Sequence, residues 1–357
     1  MSDSKFLQFH TLTSYPGTLL NRDDAGFAKR LPFGGATRTR VSSQCLKYHW
    51  RNHEGENALY NMDVDASVRS RRTFNRKVAD PLVDEGHPEP LVRGATLALQ
   101  VRLLEGSKVS KTDVKKILQP GEDDDPAEML ETGQVTIFGE PELRYIRELA
   151  AERIEAVREK YGDLVDGPSE EWTKDELQDI ADDIRAFDKR ELKKNLKGLR
   201  MAAGLDAAMF GRMATSDILA RGDAAVHVAH AVTTHQEESE SDYFTAIDEI
   251  KQADTEEQGS GHLNSSELTS GLFYSYVVVD VPLLVSNIEG CAREEWQEAE
   301  RGVAADVVDR FVHLLTTVSP GAKLGSTAPY SYAQCLIAES GDAQPRTLAN
   351  AFQDPVP

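Results

Sequence analysis

At 357 residues with 40% hydrophobic side chains, the chain can fill one large core or two smaller ones. A formal net charge of −20 opposes unspecific binding to nucleic acid yet permits a local basic patch, because salt screens exposed charges beyond about 8 Å. No apolar run reaches membrane-span length, the start "MSDSKFLQFH" has no signal pattern, and Cys45, Cys291 and Cys335 are too dispersed for a disulfide framework or a zinc site, so reduced thiols and a cytoplasmic location are expected.

In chain order, "FLQFHTL" (Phe6–Leu12) predicts a core strand that Pro16 and Gly17 break. A turn at Pro32, Gly34 and Gly35 precedes "TRTRV", an edge-like strand. Ser42 or Ser43 can cap a helix through Leu46 and Trp50. From about Glu89 the pattern is helical. In "LRYIRELAAERIEAVREKYG", Ile146, Leu149, Ala150, Ile154, Val157 and Tyr161 line one face and Gly162 stops it. "WTKDELQDIADDIRAF" opens on the capping box Thr173–Glu176, and "DKRELKKNLKGLR" restarts with Asp188 as cap. After Gly211, "AAVHVAHAVTTHQ" is β-like, "EESESD" reads as a polar turn region, "GSGHLNSSELTSG" as a returning segment, and "LFYSYVVVDV" as a core strand. One helix is predicted over "AREEWQEAERGVAADVVDRFVHLLTTV", followed by a last strand, "AQCLIAES". Core elements at both ends around a helical block and a β excursion predict an α+β, ferredoxin-like fold with two insertions.

The basic residues are not spread evenly. Leu20–Arg51 holds seven Lys and Arg against Asp23 and Asp24 alone. Arg22, Lys29, Arg38, Arg40, Lys47 and Arg51 alternate with Ser42, Ser43 and Gln44, the donor types that phosphate and sugar oxygens accept from. A basic surface paired to the many acids elsewhere is the bland explanation, and RNA binding is the functional one. His227, His230 and His235 offer HxxH plus a third histidine but no fourth ligand for zinc. Asp23 and Asp24 could hold Mg²⁺ for phosphodiester cleavage, an endoribonuclease alternative, although adjacent loop acids are usually only solvated. Lys189, Lys193 and Lys197 form an i, i+4, i+8 stripe beside Arg190 and Lys194, either a solvated face or a nucleic-acid grip.

The wording "LNRDD…FGG…RVSSQCLK" resembles the N-terminus of the CasC family, the backbone subunit of the type I-E CRISPR surveillance complex Cascade. The resemblance continues in "GRMATS", "AHAVTTHQ", "DYFTAIDE", "GSGHL", "SGLFYSY", "PGAK" and "LANAF", in the family's order, and leaves out the middle region from about 52 to 197. It implies an RRM-like palm (1–75 and 211–357), a helical fingers insertion (76–210) and a β-hairpin thumb at about 229–263. It further implies a non-catalytic protein without cofactor or metal. Copies would stack along a CRISPR guide RNA, each thumb kinking the strand and leaving bases free to pair with target DNA, alongside other Cascade subunits. By the same resemblance the RNA contacts are Arg22, Lys29, Ser42, Gln44, Lys47 and Arg51, with Met213 near the displaced base. The thumb wedge is Phe244, Thr245 and Ile247, while Thr233, Thr234, His235 and Gln236 lie at the thumb base. The family's DNA grip falls on the Lys189, Arg190, Lys193, Lys194 and Lys197 patch rather than on matched residues.

Overall fold

The computed structural model describes residues 4–197, 199, 201, 203–212, 218–219, 222–247 and 260–357, with positions 197, 243–247 and 260–265 described by backbone alone. The architecture is α+β. The chain divides into a sheet unit, 1–62, 226–282 and 301–357, and a helical unit, 63–225 and 283–300.

The sheet unit is organised around its two longest strands. β1 (Phe6–Thr18) and β9 (Ser260–Asp280) pair antiparallel from Phe6↔Asp280 to Thr18↔Thr269. Their β-branched and aromatic residues fit a pleated, half-buried surface. β10 (Cys335–Gly341) lies on the other side of β1. The far edge of β9 takes three short partners in succession: β6 (Val226–Val228), β7 (Ala231–Thr233) and β8 (Glu238–Ile247). The hairpin of β2 (Arg30–Phe33) and β3 (Ala36–Val41) joins through β3 and β7, giving the order β10-β1-β9-β7-β3-β2, antiparallel at every step.

The two faces of this sheet carry different covers. One face presents Thr11, Thr13, Tyr15, Phe273 and Ser275 to Leu46 and Trp50 of helix α1 (Ser43–Arg51) and to Leu315 of the Gly302–Thr317 helix. Trp50 meets Phe311 edge-on, with ring centroids 5.3 Å apart. Strand alternation sends Gln8, His10, Tyr274 and Tyr276 to the other face. There the C-terminal segment lies as a strap: Leu348 N donates to Tyr274 Oη (2.9 Å), Arg346 N to Gln8 Oε1 (2.9 Å), and Phe352 packs on the Tyr274 ring. His10 Nδ1 bonds Tyr274 Oη at 2.9 Å and stacks on Tyr276.

The helical unit packs the helices Glu89–Glu105, Lys111–Leu118, Glu140–Tyr161 and Lys174–Ile184 around one apolar cluster, floored by the ribbon of β4 (Ser67–Ser70) and β5 (Thr136–Gly139). The predicted stripe Ile146, Ala150, Ile154 and Val157 is buried, and Leu149 and Tyr161 pack partly against it. Gly162 ends that helix at φ 57°, and the Thr173–Glu176 capping box is formed. Asp188 Oδ1 accepts from the amides of Arg190 and Glu191, as a cap does. No helix among the described residues is long and apolar enough to cross a membrane.

Four local expectations are corrected. Pro16 and Gly17 do not end β1; the strand passes them through a register shift between Tyr15 and Thr18. "TRTRV" is not an edge strand, because β2 and β7 flank it. "EESESD" is no turn region, since Glu238–Asp242 opens strand β8, and Ser260–Gly271 of the expected returning segment forms the start of β9. The predicted helix over Ala292–Val318 is a short 3₁₀ turn at Arg293–Glu295 and a separate helix from Gly302.

Candidate nucleic-acid interface

The basic segment leaves β1 at Leu19 and Leu20 and closes a loop on itself. Asp23 N donates to Phe27 O (2.8 Å), and Asp23 Oδ1 accepts from the amides of Ala25 (3.0 Å) and Phe27 (2.9 Å). Its carboxylate therefore holds a turn. Arg22 pairs across this loop with Ala28, and Lys29 N donates to Asn21 O at 2.9 Å, so Arg22 and Lys29 stand at the loop's neck. Asn21 Oδ1 in turn accepts from Ser42 N at 3.0 Å, which ties the neck to the start of α1.

The helix itself is built by capping. Ser42 has extended backbone, and its hydroxyl accepts from Cys45 N at 3.2 Å, so of the two candidate serines Ser42 is the cap. Its side chain is buried. Ser43 N donates to His230 Nδ1 at 3.0 Å. Burial first, then the charges of Arg40 and Lys29, lower the pKa of His230. Burial pushes the Cys45 thiol up to about 11, against the pull of Lys29. Arg40 N donates to Lys29 O at 2.8 Å, two residues before the Ser42 cap, which sets the Lys29 and Arg40 backbones beside the head of α1. Along α1, Gln44, Lys47 and Arg51 recur at helical spacing on one face, and the helix contains no acidic residue. Leu46 and Trp50 hold its opposite side in the core.

The structure thus brings Arg22, Lys29, Arg40, Gln44, Lys47 and Arg51 to one neighbourhood and withholds Arg38. Arg38 is fully buried. Its guanidinium donates to the carbonyls of Phe33 (3.2 Å), Thr233 (3.2 Å), Phe352 (2.9 Å) and Gln353 (3.3 Å). It joins the β2–β3 hairpin to β7 and to the C-terminal strap, and is not on offer to a phosphate. The strap is the cause, not the pleat: Arg38 and Arg40 share a face of β3, but it is Arg38 whose guanidinium bonds the strap's Phe352 and Gln353 carbonyls. Arg30 lies in the same segment, and Glu237 and Glu267 neutralise it.

Three residues at this surface are absent from the RNA contacts expected from the sequence. Phe27 (51% exposed) and Tyr48 (56% exposed) set aromatic rings among the cations, and His230 arrives from nearly two hundred positions away. An aromatic interleaved with Lys and Arg is a usable pattern for the first two; for His230 only the fold decides. His235 has both nitrogens engaged, Nδ1 with Gln236 O (2.6 Å) and Nε2 accepting from Leu272 N (3.3 Å). Among the described residues no group of three or more His, Cys, Asp or Glu could hold a metal ion.

Met213 lies outside the described residues, as do the side chains of Phe244, Thr245 and Ile247. The backbone at the last three belongs to β8, with Phe244 opposite Asn264, Thr245 opposite Leu263 and Ile247 opposite Ser260. β8 and the first part of β9 form a ribbon that, among the described residues, pairs with no third strand before Thr269. Ten residues of strand make it about 30 Å long. In the helical unit, Lys189, Arg190, Lys193 and Lys194 lie on the Lys189–Lys197 helix, anchored by buried Leu192 and Leu196; Arg190 and Lys194 are exposed, and the side chain of Lys197 is outside the description.

Burial lowers the pKa values of His10, His49 and His230, so their folded values lie below the unfolded reference of about 6.5. The neutral forms favour the native state. Their contribution is present above the unfolded value and is lost as pH falls through the folded values. The urea midpoint is therefore expected to drop between pH 7.5 and pH 5, and substituting Gln for His10 should flatten that drop.

Comparison with known proteins gives a consistent result. The sequence matches the model of the CT1975-like protein family over residues 7–357. No curated protein matches it. The structure is similar to a chain of a solved CRISPR RNA-guided surveillance complex, pre-nicking, with 25% identity and a TM-score of 0.70 over 98% of this chain and 82% of that one. A chain of another CRISPR RNA-guided surveillance complex shares the fold at 20% identity and a TM-score of 0.60, over 98% and 80%.

Proposed function

The chain belongs to the CT1975-like protein family, and from that premise we propose that it is a non-catalytic backbone subunit of a CRISPR surveillance complex of the CasC, type I-E kind, binding guide RNA. The observation that carries the reading is that backbone bonds from Arg40 to Lys29 and from Lys29 and Ser42 to Asn21 bring Lys29 and Arg40 to the head of an acid-free helix, whose outer face continues with Gln44, Lys47 and Arg51. A helix N-terminus with such donors favours anions. The similarity over 98% of the chain to a subunit of an RNA-guided complex supports the same ligand.

The strand order β10-β1-β9-β7, with α1 and the Gly302–Thr317 helix over one face, supports an RRM-like palm. RRM sheets stack bases on their open aromatic face. Here Tyr274 and Tyr276 lie on the strap's side and Phe352 packs on Tyr274, so the guide runs at the β2–β3 and α1 side instead. The β8–β9 ribbon is the thumb and the helical unit the fingers. An isolated two-stranded ribbon is marginally stable in water, so it needs a partner beyond its own sheet. We assign that role to RNA on the next copy in a filament, with Phe244, Thr245 and Ile247 as the wedge. The turn held by Asp23 supports a structural rather than a catalytic role for "NRDD".

The test is salt dependence. Arg22→Glu and Lys47→Glu should each lower the slope of log affinity against log salt for single-stranded RNA by about 0.7. Unchanged slopes in both variants would remove the guide from this surface.

A further inference from the structure

A second concentration of positive charge lies in the helical unit, in a stretch to which the CasC resemblance assigns nothing. From Ser67 to Ala79 the chain reads "SVRSRRTFNRKVA", with Arg69, Arg71, Arg72, Arg76 and Lys77 and no acid. That density exceeds that of the Leu20–Arg51 segment, in a chain of net charge −20.

The structure mounts these residues on a pinned turn. β4 ends at Ser70, whose carbonyl accepts from Thr73 Oγ1 (3.1 Å) and Thr136 Oγ1 (2.9 Å). Ser70 Oγ accepts from Arg72 N at 3.0 Å. The Arg71 carbonyl accepts from Thr132 N (2.9 Å) and Thr132 Oγ1 (3.1 Å), while Arg71 Nε donates back to Thr132 O at 2.9 Å. Phe74 anchors the turn from below, fully buried and edge-on to Phe138 at 5.2 Å. The backbone is thus held on both sides while the basic side chains point out: Arg71 is 53% exposed, Arg72 61% and Arg76 67%.

The acids nearby are too few to neutralise them. Among the described residues, Glu131 is the carboxylate that faces both Arg71 (3.4 Å) and Arg72 (3.5 Å). Asp80 faces both Arg76 (3.3 Å) and Arg93 (3.9 Å). Exposed pairs of this kind contribute little, so they yield to a stronger anion. Guanidinium groups bind phosphate oxygens with two parallel hydrogen bonds, and a rigid mount reduces the ordering cost.

We propose that Arg71, Arg72, Arg76 and Lys77 form a second phosphodiester-binding ridge, which takes the sugar–phosphate backbone of a nucleic-acid strand on the helical unit. The proposal rests on the reading of the chain as a nucleic-acid-binding subunit and adds a surface to it. Its chemistry is shared by a single strand and by a duplex, and the measurement separates them.

The test uses the full chain with two fluorescent probes, a single-stranded RNA and a duplex DNA of equal length, titrated across a salt series. The triple substitution Arg72→Glu, Arg76→Glu, Lys77→Glu avoids the Arg71–Thr132 bonds. It is expected to lower the salt slope by about 2 if the ridge takes a single strand and by about 3 if it takes a duplex, from 0.7 and 0.9 per lost contact. The loss should persist in the Arg22→Glu/Lys47→Glu background. Glu131→Gln removes the shared carboxylate and should tighten binding at low salt, a gain that misfolding cannot imitate. If the triple variant leaves both slopes unchanged while Arg22→Glu/Lys47→Glu lowers the RNA slope, the ridge is overturned and the guide-binding reading stands. If the wild-type chain binds neither probe, both fall.

Discussion

Arg212→Ala is expected to destabilise the helical unit by about 3–5 kcal/mol, the range for removing one partner of a buried ion pair. Arg212 Nη1 lies 2.6 Å from Glu142 Oε2, with side-chain exposures of 2% and 0%. Glu142 also accepts from Gly139 N at 3.3 Å, closing the N-terminal turn of the Glu140–Tyr161 helix. Its second oxygen is buried and accepts no hydrogen bond among the described residues. Burial already pushes the Glu142 carboxyl upward, against the pull of Arg212. Without the guanidinium that rise grows. The folded value then stands further above the unfolded one, and the variant is least stable at high pH, where the carboxylate must ionise. Urea unfolding at pH 8 and pH 5.5 should show the larger deficit at pH 8. The pair Arg212→Met/Glu142→Leu should recover most of the loss, because matched apolar replacement of a buried pair is often neutral. A deficit under 1 kcal/mol at both pH values would mean that packing, not charge, holds this contact.

Gly34→Ala is expected to release the C-terminal strap and loosen the proposed RNA cradle without altering any cation. Gly34 sits at φ +60°, where a side chain costs about 1–2 kcal/mol. A Cβ there would also lie 1.5 Å from the carbonyl oxygen of Gln353, an overlap that only movement of the backbone can relieve. Moving the strap takes the Phe352 and Gln353 carbonyls from Arg38, whose guanidinium then stays buried with two fewer acceptors. The β2–β3 hairpin loses its support, and Lys29 and Arg40 lose their fixed position at α1. Hydrogen exchange should rise in 346–357 and in 29–41 together, and RNA affinity should fall. Deleting 346–357 should reproduce the second effect. Unchanged exchange in 29–41 for both variants would show that the strap does not brace the hairpin.

Burial explains which elements were legible. Segments with one face in a core carry a period. Ile146, Ala150, Ile154 and Val157 marked their helix, and "LFYSYVVVDV" marked β9, because each must hide an apolar side. Caps were legible for another reason: Thr173–Glu176 and Asp188 bond their own neighbours and need no tertiary partner. The β8–β9 ribbon has no such signature. Among the described residues its strands pair only with each other before Thr269, and without a sheet face to cover in Glu238–Asp242 that stretch read as a polar turn region. Pro16 and Gly17 looked like a stop because a bulge that lets a strand continue depends on what pairs beside it.

The sequence by itself determined the α+β class, the helical block between two sheet-forming regions, and the concentration of cations in an otherwise acidic chain. Each is set by composition or local period. Only the tertiary structure decided which cations reach the surface. Arg38 and Arg40 are two residues apart on one strand, and the strap buries one and leaves the other beside His230. The pinned turn that presents Arg71 and Arg72 likewise depends on Thr132, some sixty residues on. Charge is a property of a residue. Its availability depends on which carbonyls and carboxylates the fold brings within hydrogen-bonding distance, and residues far apart in the chain supply those partners.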